Sequence, residues 1–373
     1  MSDTKTNEII PKSFEDLIKE VHEKGFCGEC GGCVSFCSAD EIKAIEMPQS
    51  GPPKYFNKDH CLHCGICYLI CPEIEVLNKE LNEKYRFKPP IGNWSKIASV
   101  QATDPEIKNV ATDGGAVTAI LTALLENNAI DGALVSKRVN LFQREPFFAT
   151  TKEQLLQAAG TYYEFKGPIS NLEKYNTFVS TISELKHIGL LDNIKLAVVG
   201  VPCQIHSIRK MQELKIIPAH VVKYTLGLFC YENFKFDAEK RKIIEQKYDF
   251  SFDDIEKINI KENLIIKLKD KELPLNIEFS ELSEIMRSAC SVCKNFSNYY
   301  ADISFGGLGS PNGFTTAMIR TKVGNEIYNL ALKKNYINEP FDFNTSVEKS
   351  KILAKIISFT KMKERRAAET FRM

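Results

Sequence analysis

Short apolar runs alternate with amphipathic stretches along most of this chain, and the change of period marks its elements. Phe14, Leu17, Ile18 and Val21 recur at helical spacing inside SFEDLIKEVHEK, which predicts a helix over 13–24 with Ser13 as its cap and Gly25 as its end. Such a helix would prop the loop that follows it. Met47 to Gly51 and the pair Pro52-Pro53 break any long element. The charged stretch from Asn78 to Lys84 and the segment Pro89-Pro90-Ile91-Gly92 read as a linker. From about residue 97 short strands alternate with helices, the pattern of an α/β domain with an at least partly parallel sheet. Val117, Ile120, Leu121, Leu124 and Leu125 stripe one helix, and Gly132 to Ser136 follows as a strand. Lys195 to Gly200 reads as a buried strand that breaks at Val201-Pro202-Cys203-Gln204 before a helix from Ile205 to Leu214. Val221 to Phe229 is the next strand, and alternation around Ile258, Ile260, Leu264, Ile266 and Leu268 suggests a more exposed hairpin. Ala301 to Phe305 and Phe314 to Thr321 read as strands around a Gly-Ser-Pro-Asn-Gly turn, with helices in the remainder.

Length and charge narrow the function. A chain of 373 residues suits about two domains, here divided as 1–90 and 91–373. With 49 basic and 48 acidic residues the net charge is +1, so no net field exists to hold nucleic acid or an anionic membrane. The longest apolar runs, such as Leu196 to Val201, are far short of the roughly 20 residues a membrane helix needs. Membrane association would have to come through a partner. Twelve cysteines and an opening MSDTKTNEII without a signal segment lead to the expectation of a reducing cytoplasm.

Eight of those cysteines change the picture. Cys27-Cys30-Cys33-Cys37 and Cys61-Cys64-Cys67-Cys71 are two copies of C-x2-C-x2-C-x3-C. In that spacing, three thiolates on a tight loop reach one 4Fe-4S cubane and the fourth reaches the other. One cluster is therefore expected on Cys27, Cys30, Cys33 and Cys71, the other on Cys61, Cys64, Cys67 and Cys37. The first domain reads as an α+β ferredoxin-like two-cluster module. Pro72 follows the second run as the pattern expects, while Ser38 replaces proline after the first. Zinc needs only four ligands, usually in two separated pairs, and a disulfide framework suits short secreted chains. Neither matches these runs.

Cys203, Cys230 and the pair Cys290-x2-Cys293 remain. The first two fall at the carboxyl ends of neighbouring strands, the edge where open α/β sheets bind ligands. A third 4Fe-4S site, structural zinc and unrelated core cysteines all stay open on these residues alone. Thr112-Asp113-Gly114-Gly115-Ala116-Val117-Thr118 enters an apolar helix, where glycines admit a ligand and free N–H groups can meet a phosphate. It is not a G-x-G-x-x-G, and a Gly-Gly turn before a helix is also plain punctuation. The chain has no Walker lysine motif, nucleophile elbow or H-E-x-x-H, so hydrolase and NTPase readings have no support.

These residues resemble the coenzyme F420 hydrogenase/dehydrogenase beta subunit family. The resemblance includes TDGGAVTAILTALLENNAIDGALVS at 112–136, AGTYY at 159–163, VVGVPCQIHSIRK at 198–210 and LGLFCYENF at 226–234. It continues through CSVCKNFSNYYADISFGGLGSPNGFTT at 290–316 and IRTKVG at 319–324. It implies that the second domain is an α/β fold holding FAD beside one 4Fe-4S cluster, with hydride exchanged between FAD and the deazaflavin F420. Carried over, Thr112, Asp113, Gly114, Gly115, Val117, Thr118, Gly160, Gly200, Pro202 and Gln204 become flavin contacts. Cys203, Cys230, Cys290 and Cys293 become cluster ligands. The family more often has glutamine at the position of Thr112, which touches one side-chain contact. No acid or base residue is required, because hydride passes directly.

The resemblance thus implies three 4Fe-4S clusters, FAD, and F420 as substrate, in a subunit that converts the electron pair of a hydride into single electrons. The redox partner would be a hydrogenase, formate dehydrogenase, heterodisulfide reductase or membrane F420 dehydrogenase complex. A ferredoxin-dependent reductase of another organic substrate and a passive relay without flavin are the competing readings.

Overall fold

A computed structural model describes residues 12–37, 42–48, 51–138, 144–160, 174–176, 182–188, 193–216 and 218–372. Ser13 caps the first helix, Phe14–Leu17, and the Asp16 carboxylate accepts from Ser13 N at 2.7 Å in return. The helix widens into a π turn over Ile18–His22, and Gly25 leaves it at φ +72°. Phe14, Leu17 and Val21 are buried with Val34 of the helix Gly32–Cys37 and with Ile45 of a small hairpin. That hairpin pairs β1 (Ile45–Glu46) with β2 (Lys54–Tyr55) in antiparallel fashion. The expected helix thus does support the cysteine loops. Ser38 lies outside the described residues.

The expected linker is not a free tether. Asn78–Lys84 is a helix whose Leu81 is fully buried, in one cluster with Ile70, Ile205, Ile208 and Met211. Its charged residues mark only the solvent face, and the single leucine that anchors it gives too little periodicity to read. Beyond the cis Pro89-Pro90 bond, the buried Arg320 guanidinium donates to the carbonyls of Ile91 at 2.8 Å and Asn93 at 3.0 Å. Residues on both sides of position 90 therefore share a core.

The remaining strands are β3 (Lys96–Ala102), β4 (Gly132–Arg138), β5 (Arg144–Ala149), β6 (Lys174–Asn176), β7 (Leu196–Gly200) and β8 (Val222–Leu228). They continue with β9 (Lys235–Asp237), β10 (Ile255–Ile260), β11 (Leu264–Leu268), β12 (Leu275–Ile277), β13 (Ile303–Gly306), β14 (Thr315–Ile319) and β15 (Ile337–Asn338). Eight of them form one mixed sheet in the order β15-β3-β14-β13-β8-β7-β4-β5. The pairs β13/β8, β8/β7 and β7/β4 are parallel and the outer pairs antiparallel. The expected mixed, partly parallel α/β sheet is present.

Both faces of this sheet are covered, as a parallel centre requires. Ala197 joins the layer under the helices Ala116–Glu126 and Lys322–Lys333, while Leu196 and Val198 join the layer under Pro202–Glu213. That last helix starts at Pro202, not at Ile205 as the sequence suggested. Proline suits the first helical position because its missing N–H has no partner there in any case. The strands expected as an exposed hairpin instead make a three-stranded sheet, β10-β11-β12. Ile258, Ile266, Leu268 and Ile277 pack with Phe234, Ile244 and Phe252 in a core of their own. Alternation had signalled the strands correctly, but not what covers the apolar face. A helix of 25 residues, Ser346–Thr370, closes the chain. No helix among the described residues is long and apolar enough to cross a membrane.

Candidate redox site

All twelve thiols are free. A cavity of about 20 Å³ is lined by Cys27, Cys30, Cys33 and Cys71, and one of about 170 Å³ by Cys37, Cys61, Cys64 and Cys67. The fourth cysteine of each run therefore lines a cavity with the first three of the other run. The helix Gly32–Cys37 carries Cys37 across, and Ile66–Leu69 returns the chain to Cys71. Gly31 at φ +83° and Gly65 at φ +76° turn the backbone where an L side chain would be strained.

Burial pushes the thiols of Cys27, Cys37 and Cys67 up to about 12 and those of Cys33 and Cys71 well above the usual range. Neighbouring thiols add to the effect: Cys33 feels Cys30, Cys27, Cys67 and Cys71, whereas Cys37 feels Cys64 and Cys61. Protons leave such clustered buried sulfurs readily only when a metal replaces them.

The third set forms where β7 and β8 end side by side. Asn298 Nδ2 donates to the Gly200 carbonyl at 2.9 Å and the Leu228 carbonyl at 3.1 Å, fixing that edge. Cys203 stands in the first turn after β7, Cys230 just beyond β8, and Cys290 and Cys293 at the short helix Ser288–Val292. Burial raises Cys203 well above its usual range, with Cys30, Cys230 and Cys293 adding to it. Burial likewise pushes Cys230 up to about 12, with Cys290 and Cys293 contributing. Asn233 donates from its backbone to Cys290 Sγ at 3.3 Å and from its side chain to Cys230 Sγ at 3.4 Å. The four cysteines gather, yet among the described residues no three His, Cys, Asp or Glu converge as around a single metal ion.

The sets are also ordered. A Cβ on Gly28 would lie 3.6 Å from Cys203 Sγ, so the first loop rests against the third set. Cys33 in turn lies within the field of Cys67, which joins the first loop to the second. Cys64, in the second, is exposed. Arg287 pairs with Glu29 at 2.9 Å, and Lys210 Nζ donates to the carbonyls of Cys71 at 2.8 Å and Ile74.

Beside the third set, at the carboxyl ends of β4, β7, β8 and β13, lies a cavity of about 380 Å³. Of the residues carried over as flavin contacts, Thr112, Asp113, Gly115, Val117, Thr118, Gly160, Gly200 and Gln204 line it. Gly114 and Pro202 do not. The Gly114 N–H donates to Thr315 Oγ1 at 3.0 Å, and its bare Cα lets the turn approach the β3 backbone, where a Cβ would meet the Val100 oxygen at 2.5 Å. Pro202 is spent on starting its helix. Gly115, at φ +72°, caps Ala116–Glu126 without a side-chain hydrogen bond, which leaves the first N–H groups of that helix to whatever fills the cavity. Gln204 Oε1 accepts from Val201 N at 3.0 Å and so shapes the Gly200 edge. Residues 161–163 of AGTYY lie outside the described residues.

Arg144 was not foreseen. It lines the cavity and donates to Ser136 Oγ at 2.9 Å and to the carbonyls of Ser136 at 2.6 Å, Ala158 at 2.8 Å and Gly160 at 3.2 Å. No motif marks it, because its role comes from the pairing of β5 with β4.

A mixed sheet with a cavity at its parallel edge and three gathered cysteine sets defines a candidate redox protein. Residues 97–173 match the family model for the amino-terminal part of the coenzyme F420 hydrogenase/dehydrogenase beta subunit, and residues 194–340 match the model for its carboxyl-terminal part. The chain belongs to the coenzyme F420 hydrogenase/dehydrogenase beta subunit family. A coenzyme F420 hydrogenase subunit beta of Methanosarcina barkeri is 32% identical over 65% of this chain and 81% of its own length. An uncharacterized protein of Methanocaldococcus jannaschii is 30% identical over 91% of this chain and 95% of its own. A chain of the F420-reducing [NiFe] hydrogenase complex from Methanosarcina barkeri superposes with TM-score 0.63 at 29% identity, over 76% of this chain and 93% of that one. At the level of the family, the protein is an F420-linked oxidoreductase subunit.

Proposed function

We propose that this subunit exchanges hydride between coenzyme F420 and FAD, and passes electrons singly through three 4Fe-4S clusters to a partner redox enzyme. The observation that carries this reading is the continuous series from the 380 Å³ cavity through the Cys203 set and the Cys27 loop to exposed Cys64. Bound FAD would supply the exchange between paired and single electrons that neither a deazaflavin nor a cluster performs alone. The open amino end of Ala116–Glu126 suits a pyrophosphate. Arg144 holds the 158–160 turn against β4, and Leu121, Val135 and Phe305 give the cavity apolar walls that exclude water. Thr112, in the cavity wall, need not act as acid or base, since direct hydride transfer moves no proton through the protein.

The test is anaerobic. Full-length protein reconstituted with iron, sulfide and FAD should contain about twelve iron atoms per chain, and reduced F420 should bleach its flavin. A protein that binds FAD but stays yellow with reduced F420, yet bleaches with reduced ferredoxin, would replace this reading with that of a ferredoxin-dependent reductase.

A further inference from the structure

The helix Ser346–Thr370 lies beyond both matched stretches, 97–173 and 194–340, yet it reaches the third cysteine set. Lys363, on this helix, is only 1% exposed. Its Nζ donates to the Cys230 carbonyl at 2.8 Å and the Asn295 carbonyl at 3.0 Å, the first carried by one cysteine of the set and the second just past another. Two neutral carbonyls orient an ammonium but do not balance its charge, and burying a cation is costly; the carboxyls of Glu73 and Glu232 also lie within its field. The neighbouring Arg366 is different, because it pairs with Glu232. Burial opposes the charge of Lys363, and the thiols of Cys293, Cys230 and Cys290 around it favour that charge. Four thiolates around a cubane leave a net negative charge that grows by one on reduction, and nearby positive charge favours the reduced form.

We propose that Lys363 is a positioning residue of the third cluster: its buried ammonium supplies the counter-charge of the Cys203, Cys230, Cys290 and Cys293 site and raises that site's reduction potential. The inference rests on the three-cluster reading above. By making the site beside the cavity easier to reduce, the lysine helps draw electrons off one at a time. Electron balance is unchanged, since Lys363 neither gains nor loses an electron.

The test compares full-length wild type, Lys363→Met and Lys363→Arg, reconstituted anaerobically with iron and sulfide and titrated potentiometrically with EPR detection. Wild type with iron for only two clusters overturns the three-cluster reading, and the inference with it. Given three, Lys363→Met should lower one midpoint and leave the other two in place. The reduced-to-oxidised ratio of that cluster at the wild-type midpoint should fall about tenfold, which is about 59 mV for one electron, and Lys363→Arg should restore it. Loss of the third cluster in Lys363→Met but not in Lys363→Arg also supports a charge role. A Lys363→Met protein with full iron and unmoved midpoints overturns the proposal, as does loss of the cluster in both variants, which would make the role one of packing.

Discussion

A Cβ placed on Gly32 would fall 1.9 Å from Ser207 Oγ, so the first cysteine loop and the helix Pro202–Glu213 meet with no room for a methyl group. Ser207 is itself fixed, donating to the Ile70 carbonyl at 3.1 Å. Gly32→Ala should destabilise the protein by about 1–3 kcal/mol, the usual range for overpacking. Combining it with Ser207→Gly should recover most of that loss. Denaturant unfolding of the single and double variants measures the coupling, and simple additivity would show that the contact is not tight.

Removing the amino-terminal residues should expose apolar surface. A fragment beginning at residue 93 lacks Ile70, Leu81 and Tyr85, which pack with Ile205, Ile208, Met211 and Tyr300. It should aggregate or melt well below the full chain in light scattering and thermal unfolding. A monodisperse fragment with an unchanged melting profile would mean that the shared core contributes little.

The parallel centre was legible because β7 is a continuous apolar run with a sharp end, and the grouping of Cys37 and Cys71 with the opposite loops follows from their spacing. What it hid depends on packing between distant segments. Asn78–Lys84 looked like tether because only Leu81 is apolar on its buried side. Ile258 and Ile266 looked half-exposed because nothing local reveals that Phe234 and Phe252 cover them. The close approach of Gly114 to the Val100 and Thr315 backbone could not be read locally, and Arg144 and Lys363 carry no local signature at all.

Val117 offers a cleaner probe of the cavity than Gly114 does. It lies in the first turn of Ala116–Glu126 and lines the cavity, while Gly114 packs against backbone. If FAD occupies this cavity as proposed, Val117→Trp should fill that space and cut FAD content several-fold, with iron content unchanged. Visible spectra and metal analysis of the same preparation check both. Full flavin occupancy in this variant would put the site elsewhere.

Cysteine replacements should separate the three sets. Cys293→Ser should remove about four of about twelve iron atoms and leave the two amino-terminal clusters. Cys71→Ser should perturb the cluster of Cys27, Cys30 and Cys33, although its nearest cysteine in sequence is Cys67. Retention of that cluster's EPR signal, with loss of the Cys61 cluster, would reject the crossed assignment.

The last expectation concerns where electrons leave. Cys203 and the Cys27 loop lie against each other and are partly buried, whereas Cys64 is exposed and the nearby Leu62 is 73% exposed. An exposed leucine on the loop of the outermost cysteine set is placed to touch a protein acceptor, and a carboxylate there would have to be desolvated in the encounter. Leu62→Glu should therefore slow reduction of the native partner by roughly tenfold, the effect of losing about 1.4 kcal/mol at an interface. Reduction of small dyes by reduced F420 should continue at the wild-type rate, because dyes do not need the docking surface. Stopped-flow traces with each acceptor separate the two steps. Equal slowing with dye and partner would place the defect inside the molecule, and no slowing with the partner would place the exit on another face.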